Sequence, residues 1–117
     1  MTESTRQYRF DTIAVHGGWK GDPATDATAV PIYRTTAYNF QNAQDGADRF
    51  ALRKAANIYA RLMNPTEDVL EKRLAALDGG VAALALSSGT AAIYFTVTNI
   101  VATGQNLVAA STLYGGT

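Results

Sequence analysis

An α/β fold on an incomplete parallel or mixed sheet is what this sequence predicts, and three features point to it. A capped, amphipathic segment at 64–80 runs into a short apolar stretch, VAALAL (Val81–Leu86). A second helical segment then leads to a second short apolar stretch, NLVAAS (Asn106–Ser111). Short continuous apolar runs suit strands buried on both faces. A helix between two of them implies a right-handed βαβ crossover and a parallel sheet. Two strands alone make no stable sheet, so the sequence reads as stopping within a domain.

The first 57 residues have another character. They lack sustained periodicity and carry Gly17-Gly18, Gly21, Pro23, Pro31 and Gly46. TAVPIYRTTAYNF (Thr28–Phe40) is rich in β-branched and aromatic residues and reads as extended, although Pro31 argues against a central strand. AQDGADRFALRK (Ala43–Lys54) reads as a short helix after a turn. So much irregular chain cannot easily bury itself. Yet Trp19, Tyr33, Tyr38, Phe40 and Phe50 separate it from a solvated tail. Residues 1–57 are therefore expected to be an arm that packs on a neighbouring subunit, with 58–117 opening a ligand-binding domain.

The segment NPTEDVLEKRLAALDGG (Asn64–Gly80) has the marks of a complete helix. Asn64 suits the N-cap, Pro65 the first helical position, and Glu67 the third, where it would close a capping box. Leu70, Leu74 and Leu77 form one apolar stripe, Asp68 and Lys72 can pair at i,i+4, and Gly79 is the expected stop. GTAAIYFTVTNIVATGQ predicts a further helix from about Thr90 to Ala102, ended by Gly104.

Composition excludes several classes. An apolar fraction of 47% is that of a globular chain. Ten basic and ten acidic residues cancel, which leaves no electrostatic footprint for nucleic acid or an anionic membrane. There is no cysteine, so disulfides and thiolate metal sites are ruled out, and a reducing cytoplasmic setting is the default. His16 is the single histidine, too few for a histidine metal cluster. MTESTRQYRFD lacks the apolar centre of a signal peptide.

The stretch LSSGTAAIYF (Leu86–Phe95) raises the functional question. Ligands of a parallel sheet bind beyond the carboxyl ends of its strands, where Ser87–Thr90 would lie. The first turn of a helix offers unpaired amides and a partial positive charge. Gly89 would let an anion approach the backbone, and Ser88 and Thr90 add hydroxyls, a set that suits a phosphate monoester. Alone, the stretch fits a plainly N-capped helix better, and neither a P-loop nor a G-x-G-x-x-G is present. Two neighbours tip the balance. In NIYARLMNPT, Tyr59 and Arg61 stand two apart and, on an extended backbone, would converge on one target, with Arg61 matched to phosphate by its bidentate fork. Tyr114 follows the second predicted strand, where a flat ring could stack on it. A phosphate cup with a stacking aromatic suggests pyridoxal 5'-phosphate.

Together these segments resemble the N-terminal part of the pyridoxal-phosphate enzymes of cysteine and methionine metabolism. The resemblance runs through FDTIAVHGG, AVPIYRTTAYNF, FALRKAANIYARLMNPT, VLEKRLAALDGG, SSGTAAI and LYGGT. FAL before NIYARLMNPT, and Gly-Gly-Thr after Tyr114, look like the O-acetylhomoserine sulfhydrylase branch; the cystathionine γ-synthase and methionine γ-lyase branches share these motifs and stand as the alternatives within the family, with a non-catalytic fragment as the other.

The resemblance implies the start of an aspartate aminotransferase-like large domain. It also implies roles. The amides of Gly89 and Thr90, with Ser88 beside them, would hold the cofactor phosphate. Thr90 stands where many relatives carry Met or Gln, a change that a backbone contact survives. Tyr114 would stack on the pyridine ring. Tyr59 and Arg61 would reach the phosphate of a neighbouring subunit in a homodimer or homotetramer, and Tyr59 would assist proton transfer. The substrates implied are O-acetyl-L-homoserine with sulfide or a thiol. The cofactor-bearing lysine, the aspartate facing the pyridine nitrogen and the substrate arginine of the family all lie beyond the matching region. Lys20, Lys54 and Lys72 do not fit that lysine's setting. The chain by itself is expected to be an inactive fragment that folds poorly.

Overall fold

A computed structural model describes residues 8–117, so the first seven residues of the expected arm lie outside the described residues. Four helices follow one another: α1 (Phe10–His16), α2 (Ala43–Phe50), α3 (Pro65–Asp78) and α4 (Gly89–Ile100). The chain divides into two compact units, the first ending at Ala83 and the second spanning Leu84–Thr117. The first unit runs through residue 57 without a break. No helix among the described residues is long and apolar enough to cross a membrane.

The third helix begins and ends where its sequence predicts. The Asn64 side chain accepts a hydrogen bond from the Thr66 amide at 2.9 Å, with Pro65 next to it. Glu67 stays exposed and closes no capping box, because the Asn cap is met at the second helical amide instead. Gly79 takes the left-handed conformation (φ 68°) and ends the helix. Lys72 and Asp68 pair at 2.5 Å on the surface. At such exposure the pair adds a few tenths of a kcal/mol, roughly 0.3–0.5.

The buried face of α3 differs from expectation. Val69 and Ala75 are buried, whereas Leu70 and Leu74 of the leucine stripe are about half exposed, at 50% and 46%. The reason lies in α1, which packs on α3 and leads into Gly17-Gly18. A Cβ at Gly18 would stand 2.8 Å from the Val69 carbonyl oxygen and 2.9 Å from the Lys72 Cβ. That close approach of backbones selects the Val69 side, and the Arg73 Nε donates to the Gly17 carbonyl at 2.8 Å. The sequence hid α1 because its seven residues include β-branched Thr12, Ile13 and Val15 and lack a side-chain cap. Tertiary packing supplies what propensity does not.

The stretch around Pro31–Tyr33 is held by its own chain. Thr66 Oγ1 donates to the Pro31 carbonyl and accepts from the Tyr33 amide, both at 2.9 Å. Asn64 Nδ2 donates to the Tyr33 carbonyl at 2.9 Å. The NPT segment thus caps α3 and ties down the preceding loop with the same side chains. Further along, an isolated antiparallel bridge joins Ala37 to Tyr59, and the Ala60 amide donates to the Thr36 carbonyl at 2.8 Å.

The expected sheet is not formed. Among the described residues there is no strand, and neither Val81–Leu86 nor Asn106–Ser111 joins a ladder. A strand buried on both faces needs neighbours along both edges and a layer over each face. Here Val81, Leu84, Leu107 and Val108 are exposed. The buried hydrophobic residues are Ile58, Val69 and Ala75, and no described side chain is fully buried. In the second unit α4 ends at Ile100, short of the expected Ala102, because Val101 is already extended (φ −115°). Gly104 takes φ 89° in the turn that follows.

Candidate functional site

The predicted site residues fall in two places, one in each unit. In the first unit, Tyr59 and Arg61 do come together, with the Arg61 guanidinium 5.1 Å from the centre of the Tyr59 ring. They do so by a turn and not by the extended alternation expected. The amides of Leu62 and Met63 both donate to the Tyr59 carbonyl, at 2.9 and 3.0 Å, so the chain curls as soon as it leaves the bridge to Ala37. Arg61 is exposed and Tyr59 half-buried. Both line a hollow of about 470 Å³ whose walls include Tyr38, Phe40, Phe50 and Ile58.

In the second unit, Ser88, Gly89 and Thr90 open α4. Ser88 is the N-cap and its Oγ accepts from the Ala91 amide at 3.0 Å. This is the plain capped helix, with the hydroxyl hydrogen of Ser88 left to donate outward. The amides of Gly89 and Thr90 make no hydrogen bond to a described residue. A Cβ on Gly89 would meet nothing within 4 Å, so the approach to these amides is open. Tyr114 is exposed (82%), in a turn closed by the Thr117 amide on its own carbonyl at 2.8 Å. The strand expected to deliver it is absent, and the turn sets its place.

Sequence reasoning missed an ionic cluster on α2, whose Arg49 reaches the Asn57 carbonyl at 3.0 Å. Asp45 is buried and meets Lys54 at 2.6 Å and Arg49 at 2.7 Å. It also accepts from the Gln41 amide at 3.1 Å. The Asp45–Arg49 spacing of four in DGADR was the signal available. The Lys54 ammonium, then the Gln41 amide and the Arg49 guanidinium, hold the Asp45 carboxyl well below the usual carboxylate range, outweighing its burial. A depressed folded-state pKa adds stability that is present above the ordinary carboxylate value and is lost as pH falls through the folded one. Unfolding free energy is therefore expected to decline with acid below about pH 4. Asp45→Asn should flatten that decline in a denaturant titration across pH; an unchanged slope would exclude the cluster as its source. Nearby, burial first and then Tyr33 push the Tyr38 phenol up, and its buried hydroxyl has no hydrogen-bond partner among the described residues.

The model of the Cys/Met metabolism PLP-dependent enzyme family matches residues 11–117. This chain belongs to that family. Relatives in the family include an O-acetyl-L-homoserine sulfhydrylase of Leptospira meyeri, 55% identical over 96% of the chain and 25% of the relative. O-acetyl-L-homoserine sulfhydrylase 1 of Thermus thermophilus is 51% identical over 93% of the chain and 26% of the relative. Among solved structures, a protein described as an O-acetylhomoserine (thiol)-lyase of Campylobacter jejuni matches with a TM-score of 0.86 at 41% identity. The match covers 94% of this chain and 27% of that one, and that structure carries a pyridoxyl-lysine monophosphate. The chain thus spans about a quarter of the length of the curated family members it matches.

Proposed function

We propose that this chain is the N-terminal part of a PLP-dependent O-acetylhomoserine sulfhydrylase. The observation that carries the reading is identity above 50%, across nearly the whole chain, to proteins of that name. The full enzyme would form a bond from the sulfur of sulfide or a thiol to Cγ of O-acetyl-L-homoserine as the Cγ–O bond to acetate breaks.

The residues present fit the cofactor. The free amides of Gly89 and Thr90 and the outward hydroxyl of Ser88 would hold its phosphate, and no side chain of Gly89 obstructs them. When bound, the cofactor supplies an electron sink for charge developing at the amino-acid Cα. Tyr114, exposed and planar, would orient its ring by stacking. Arg61 would present a fork to the phosphate of a neighbouring subunit, and Tyr59 would hold or pass a proton beside the substrate. The exposed Phe10, Ile32 and Phe50 would meet that neighbour in a homodimer or homotetramer. Lys54 and Lys72 are ion-paired with Asp45 and Asp68.

The deciding experiment gives the full-length polypeptide O-acetyl-L-homoserine and sulfide and measures acetate and homocysteine. Stoichiometric release of both is expected. Ammonia from methionine, with no acetate from O-acetylhomoserine, would move the protein to the γ-lyase branch. No turnover of either would mark a non-catalytic relative.

A further inference from the structure

We propose that Arg49 is a positioning residue for the Tyr59–Arg61 pair, clamped by buried Asp45 and holding the backbone on which the pair is presented. The guanidinium is used at both ends. One Nη bonds Asp45 at 2.7 Å, and the other donates to the Asn57 carbonyl at 3.0 Å. The Arg49 side chain is 12% exposed and that of Asp45 only 5%, so water competes little for either contact. The Phe40 ring lies 5.5 Å from the guanidinium carbon and packs edge-on against Phe50. The side chain therefore has few other places to go.

Asn57 is followed by buried Ile58 and then by Tyr59 at its bridge to Ala37. The segment between α2 and that bridge has no helix or strand of its own, and Leu52 turns it with φ 56°. The Arg49 contact to Asn57 ties this loop to α2 immediately before the functional pair. A group held within a fraction of an ångström depends on such support behind it. Lysine at position 49 could keep the charge on Asp45. It could not also reach the Asn57 carbonyl through a planar fork.

The inference rests on the reading that Tyr59 and Arg61 grip the cofactor phosphate. Its test measures pyridoxal phosphate binding to the full-length apo-protein by fluorescence titration, with no turnover involved. Arg49→Lys is expected to weaken binding roughly tenfold, since a half-buried carbonyl loses its donor and the loop loosens. In a Tyr59→Phe/Arg61→Ala background the same substitution should have almost no further effect, because a residue acting through the pair has nothing left to position. Asp45→Asn, which slackens the clamp, should show the same dependence and serves if Arg49→Lys does not fold. Equal weakening in both backgrounds would overturn the inference, since Arg49 would then act through general stability. Weakening by Arg61→Ala with none by Arg49→Lys would overturn it while leaving the phosphate reading intact. No effect of Arg61→Ala would overturn both.

Discussion

Arg61→Ala in the full-length enzyme is expected to weaken pyridoxal phosphate binding by about two orders of magnitude, with little loss of fold stability. A hydrogen bond to a charged group contributes about 1.5–3 kcal/mol. A bidentate guanidinium–phosphate contact sits at or above the upper end, and each 1.4 kcal/mol is about tenfold in affinity. The fold should barely notice. Arg61 is exposed, forms no ion pair among the described residues, and sets its guanidinium over the Tyr59 ring. Exposed substitutions of this kind usually shift stability by within about 0.5 kcal/mol. Arg61→Lys should recover part of the loss through charge, and not the part due to fork geometry. Unchanged affinity in Arg61→Ala would remove Arg61 from the cofactor site.

What could be read in advance follows from what is local. The ends of α3 are specified by Asn64, Pro65 and Gly79 within one short segment, and they stand where expected. The start of α4 is likewise set by Ser88 and the small residues after it. Elements that depend on distant partners were not legible in the same way. Val81–Leu86 and Asn106–Ser111 have strand-like composition, yet composition does not provide the neighbours that a ladder requires. The reverse holds for α1, which propensity disfavours and contact with α3 retains. At the site, the pairing of Tyr59 with Arg61 was legible from their spacing, but the turn that achieves it was not. That turn depends on the Ala37 bridge, a contact between residues 22 apart in sequence. Asp45 and Arg49 went unassigned because an i,i+4 acid–base pair is ordinary on a helix surface. Its burial and its reach to Asn57 are tertiary facts.

The same distinction predicts that Gly18→Ala costs more than the other left-handed glycines. Gly18 sits at φ 75° and Gly79 at φ 68°, so both exact a similar backbone penalty from alanine, about 1–2 kcal/mol. Their surroundings differ. A Cβ at Gly79 meets nothing within 4 Å, whereas one at Gly18 comes within 2.8 Å of the Val69 carbonyl and 3.1 Å of the Arg73 amide nitrogen. These are backbone atoms of a helix interior and cannot turn aside as a side chain could. Relief requires α1 to move off α3, which exposes Val69 and stretches the Arg73 contact to Gly17. Overpacking of this kind adds about 1–3 kcal/mol, for a total of about 2–5. Urea unfolding of Gly18→Ala and Gly79→Ala in the full-length polypeptide isolates the steric part as the difference between them. Equal losses would mean that the two helices do not approach so closely. A larger loss at Gly18 would give the HGG segment a packing role against α3.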